Sequence, residues 1–80
     1  MTTPQPRVRR QRGDEVWRLT KDARTMACLL RWDERPGRAW VVILSLDGEW
    51  QFGCHCPTKR DARFTAETLK QDHLRAGWTE

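Results

Sequence analysis

Three cysteines and two histidines are the side chains here best suited to chemistry, and their spacing limits what they can do. Cys54, His55 and Cys56 are consecutive, with Cys28 and His73 elsewhere. Cys28, Cys54, Cys56 and His73 together would make four soft ligands, the number a structural zinc site takes. However, C-x-C without a second close-spaced pair is not zinc-ligand spacing. Cysteine is also among the residue types most often buried as small apolar filler. Core packing is the expected role of the thiols, with metal binding as the lesser alternative, and no cofactor is expected. A reactive thiol needs a lowered pKa, and nothing in the local sequence supplies one. His73 reads as a packed core-edge histidine and His55 as an exposed strand residue. No nucleophile–base pattern and no Gly-rich phosphate loop is present, so the expectation is a non-enzymatic protein.

The elements that position these residues follow a basic arm. Residues 1–13 carry Arg7, Arg9, Arg10 and Arg12 and no acid, while the remaining 67 residues hold eleven basic and eleven acidic side chains and net zero. The arm contains two prolines and one valine, so it cannot bury enough surface to order itself and is expected to be disordered. Residues 14–80 read as one small α+β domain, with 38% hydrophobic and 32% charged residues over the whole chain fitting a globular protein. The apolar run Trp40 to Leu44 is far short of the roughly 18 residues of a membrane helix, and no apolar segment follows the N-terminal charges. An odd number of cysteines without a secretory signal points to reduced thiols in a cytoplasm.

Within the domain, VWRLT (16–20) reads as a short strand that could lie at either edge, and TMACLLRW (25–32) as a second. DERPG (33–37) is a turn. AWVVILSL (39–46), Asp47-Gly48 and EWQFGCHC (49–56) form the strongest local signal, a hairpin closed by a type I′ turn. Thr58 with Asp61 resembles a capping box that opens a helix over about 59–76, ended by Gly77. The expected fold is an antiparallel three- to four-stranded meander packed on one C-terminal helix, in the order β-β-β-β-α. The Asp-Gly turn pairs Leu44 with Gln51 and Val42 with Gly53, and a turn closing Asp33 onto Arg38 sets the preceding pair of strands. Those registers put Met26, Cys28, Leu30, Trp32, Val41, Ile43, Trp50, Phe52, Cys54 and Cys56 on the core face. They leave Ala27, Leu29, Arg31, Trp40, Val42, Leu44, Gln51 and His55 on the other.

That second face is half apolar, and contiguous exposed apolar area marks interaction sites. Leu29, Trp40, Val42 and Leu44, with Phe64 on the outer side of the helix, are therefore the candidate contacts to a protein partner or a second copy. The alternative is a nucleic-acid-binding accessory protein, with Arg7, Arg9, Arg10 and Arg12 on phosphates and Arg31, Trp40 and His55 at the sheet.

The stretch GEWQFGCHCPTKRDARFTAETLKQDHLRAGW resembles the ends of small uncharacterised bacterial proteins that have a hairpin, a T-x-x-x-A helix and a Gly-Trp finish. The resemblance covers about half the chain and implies a compact β-then-α fold with no particular activity. A looser likeness is to plant sheet-plus-helix DNA-binding domains, which read DNA through arginines and tryptophans on an exposed sheet face.

Overall fold

The computed structural model describes residues 13–34 and 39–80, and the expectations for residues 1–12 and for 35–38 of the second turn lie outside them. Four strands, β1 (Asp14–Lys21), β2 (Arg24–Asp33), β3 (Ala39–Leu46) and β4 (Glu49–Cys56), precede one helix, α1 (Lys59–Arg75). The strands form a single antiparallel sheet in the order β1-β2-β3-β4. The open four-stranded meander with a C-terminal helix is the fold read from the sequence. β1, unplaced by sequence, lies at the β2 edge.

Both tight turns are two residues long and both use positive φ. Asp47 and Gly48 (53° and 88°) make the expected I′ turn, and Asp22 and Ala23 (51° and 68°) join β1 to β2 in the same way without a glycine. Asp47 also bonds sideways. Its Oδ1 accepts from the Thr25 N–H at 2.9 Å and its Oδ2 from Arg24 Nε at 3.2 Å, so one turn braces the start of β2. These donors hold its carboxyl below the usual aspartate range, the Thr25 amide first and Arg24 second.

The helix is capped as its sequence dictates. Thr58 Oγ1 accepts from the Asp61 N–H at 3.0 Å. At the other end Gly77 adopts φ 101°, and the Gly77 and Trp78 N–H groups bond back to Leu74 O and His73 O, a Schellman closure. The chain then turns along the sheet: Thr20 and Thr79 exchange both backbone hydrogen bonds, at 2.7 and 2.9 Å.

Ala62 and Ala66, the fully buried helix residues, let α1 approach the sheet closely. Trp17 uses that proximity and donates its indole N–H to Ala66 O at 2.8 Å. The core beneath the helix comprises Trp17, Leu19, Met26, Cys28, Leu30, Val42, Leu44, Cys56, Ala62 and Ala66, with Trp40, Leu46, Cys54, Leu69, Leu74 and Trp78 packed on its margin.

The face assignment from sequence is overturned for β3. Asp33 pairs with Ala39, not Arg38, which slips the β2–β3 register by one residue. In the hairpin the expected pairing holds for Leu46–Glu49 and Ser45–Trp50. An extra residue, Gln51, then bulges out, so that Leu44 meets Phe52, Val42 meets Cys54 and Trp40 meets Cys56. A slip of one residue exchanges the faces of a strand. Trp40, Val42 and Leu44 therefore lie under the helix, while Val41 and Ile43 lie with Leu29 on the opposite face. The same bulge moves Trp50 off the helix face.

Candidate functional site

The residues proposed from sequence as one apolar contact face are not brought together. Val42 and Leu44 are buried core, Trp40 is a half-buried margin residue, and Leu29 is buried on the other side of the sheet. Phe64 is 74% exposed on the outer side of the helix, away from all four. Of the sheet residues proposed for nucleic acid, Arg31 and His55 share the face opposite the helix, but Trp40 does not. Arg31 Nη2 lies 3.7 Å from Asp33 Oδ2. Trp40 is held from two sides, by Lys59 Nζ 5.1 Å from its ring centroid and by Trp32 in an edge-on contact at 5.4 Å. Arg7, Arg9, Arg10 and Arg12 lie outside the described residues.

The thiols do share the helix face, as read from sequence. Cys56 Sγ sits 3.7 Å from Thr65 Oγ1 near the start of the helix. His73 is two turns further on, about 12 Å along the helix axis at 1.5 Å per residue. There its Nδ1 donates to Leu69 O at 2.7 Å, and its ring lies between Trp17 and Trp78, each 6.2 Å away. Among the described residues no group of three His, Cys, Asp or Glu side chains could hold a metal ion. Cys28 and Cys54 are also poor nucleophiles. Burial pushes Cys28 up to about 12, and burial followed by the adjacent Cys56 raises Cys54. A cleft of about 230 Å³ between β1 and α1, lined by Val16, Trp17, Arg63, Ala66, Glu67 and Lys70, is too small to enclose a cofactor.

Two of the exposed large apolar side chains, Trp50 and Phe52, lie on β4. The helix starts two residues beyond the end of β4 and is tied at its other end to the end of β1, where Lys21 Nζ donates to Ala76 O at 2.7 Å. It thus crosses the sheet diagonally and leaves two corners bare. Trp32 marks one and Phe52 the other, each 43% exposed. On the face opposite the helix Trp50 is 56% exposed and its indole lies across Gly53, where a β-carbon would meet Nε1 at 3.2 Å.

The two sheet edges differ. β1 carries Asp14, Glu15, Arg18 and Lys21 and is paired near its end, at Thr20, with Thr79. β4 carries a single charge, Glu49, and no strand among the described residues pairs with its outer side. An uncharged edge with free backbone groups is a template for another strand. Sequence reasoning missed this site because it looked for a face. The signal was present in the low charge and two aromatics of EWQFGCHC.

Among the described residues no helix is long and apolar enough to cross a membrane. No family model matches the chain, and comparison with curated proteins and with solved structures returns no significant match to either.

Proposed function

We propose that this chain is a small, non-enzymatic interaction module that takes up a partner strand along the open edge of β4. The observation that carries the reading is the contrast between edges: β1 is charged along its length and paired at Thr20 with Thr79, whereas β4 is nearly uncharged and flanked by exposed Trp50 and Phe52. Main-chain hydrogen bonds supply affinity in such pairing, and alternate side chains supply selectivity. With an odd number of thiols, the module fits a reducing compartment such as the cytoplasm. The N-terminal arginines then act as an accessory tether to anionic partners and not as the recognition surface.

Site-directed photocrosslinking tests this. A photoreactive residue at position 50 should form covalent adducts with a bound strand, whereas one at Gln71, on the outer side of the helix, should not. Equal yields at both positions, or none at position 50, would overturn the edge reading.

A further inference from the structure

We propose that the strand taken up by β4 is β4 of a second copy, in antiparallel register with Cys54 on the two-fold axis. The inference rests on the edge reading above and adds to it a partner and a register.

The backbone alternation determines which groups are free. Thr20 turns its N–H and C=O outward to Thr79, and Thr25, opposite Thr20, turns its C=O inward to the Asp47 N–H. In an antiparallel ladder such orientations alternate along each strand and carry from one strand to the next. In the hairpin, the I′ turn makes Leu46–Glu49 a hydrogen-bonded pair, and the bulge at Gln51 consumes one residue. Val42–Cys54 and Trp40–Cys56 are then hydrogen-bonded pairs too. It follows that Gly53 and His55 direct their N–H and C=O away from β3, out of the sheet.

The regular part of the edge is short, Phe52–Cys56, bounded by the Gln51 bulge and by Pro57, which has no N–H. One two-fold register uses both outward residues and stays within these bounds. Gly53 of one copy exchanges hydrogen bonds with His55 of the other, twice, and Cys54 faces Cys54. The adjacent registers either set His55 against the bulge or set Gly53 against Pro57.

The side chains agree with this register. Trp50, lying across the side-chain-free Gly53, is placed beside the imidazole of the other copy's His55. Phe52 stands opposite the other copy's Cys56 on the helix face, so both exposed aromatics of the edge gain cover. Charge does not oppose approach, because Glu49 lies outside the paired stretch and residues 14–80 net zero. A stretch of five residues makes this a reversible, weak dimer.

Cys54 supplies the test. Facing residues of a non-hydrogen-bonded antiparallel pair have α-carbons about 4.5 Å apart, within the disulfide range of about 4.4–6.8 Å. Mild oxidation with copper phenanthroline and oxygen removes two protons and two electrons from the paired thiols and should yield a dimer linked Cys54–Cys54, identified by peptide mass spectrometry. Cys54→Ser should abolish the link. Sedimentation of the unoxidised chain should show reversible association, weakened about tenfold or more by His55→Pro, which deletes an outward N–H. Amide exchange in β2 and β3 checks that this variant folds. A chain that sediments as a monomer at every concentration, or a disulfide through Cys28 or Cys56, overturns self-pairing. If photocrosslinks at position 50 then join β4 to a different protein, the edge reading stands without it. If they fail as well, both fall.

Discussion

At the scale of single residues, Cys28 shows how burial decides chemistry. It is fully buried beneath the helix, and the cost of desolvating a thiolate pushes its pKa up to about 12 from an ordinary value of 9.0. The folded state therefore holds the proton more tightly than the unfolded one. This contribution to stability is complete below pH 9.0 and is lost as the pH rises towards 12. Chemical denaturation should show a decline approaching 1.4 kcal/mol per pH unit in that window, shallower in Cys28→Ala, which instead carries a cavity penalty independent of pH. A decline of equal slope in the variant would mean that another group is responsible. Trp17 illustrates the complementary case: its one polar atom is satisfied by Ala66 O, so a large aromatic is buried without an unpaired donor.

At the scale of elements, turns and bulges do more than strand propensity to specify the sheet. The Asp22-Ala23 turn places an alanine at φ 68°, a conformation costing about 1–2 kcal/mol for a residue with a β-carbon. Ala23→Gly should raise unfolding free energy by roughly 1 kcal/mol despite glycine's greater freedom when unfolded, read as a shift in denaturant midpoint at unchanged slope. No shift, or a loss, would mean that the turn is not strained. The bulge at Gln51 acts over a longer range. By consuming one residue it sets Trp50 on the face opposite the helix and Phe52 on the helix face, so the β4 edge carries an aromatic on each side. The elements themselves were legible from local rules: the Asp-Gly turn, the Thr58 cap and the Gly77 stop each depend on residues close in sequence. The bulge was not, because nothing in EWQFG distinguishes a bulged strand from a straight one without the opposing strand.

At the scale of the whole molecule, charge and contact surface are separated. The arm bears all of the net charge, +4, and the domain bears none. Deleting residues 1–12 should leave self-association unchanged. Any affinity for mixed-sequence nucleic acid should go with the arm, falling with salt at a log–log slope no steeper than about −3.6 for four phosphates. Nucleic-acid binding that survives the deletion would place a phosphate site on the domain. The sequence by itself determined the order of elements, the two-residue hairpin, the helix limits and the neutrality of the domain, because each depends on local backbone preference or on counting. Only the tertiary structure decided which face of β3 lies under the helix, where the helix crosses, and that Thr79 pairs with the β1 edge at Thr20 while no strand among the described residues pairs with the outer side of β4. Those outcomes depend on register between segments distant in the chain, where one residue gained or lost in a turn or bulge exchanges inside for outside. The cysteines, the first candidates for chemistry, thereby became core and core margin, and Cys54 gained a place at the proposed two-fold axis.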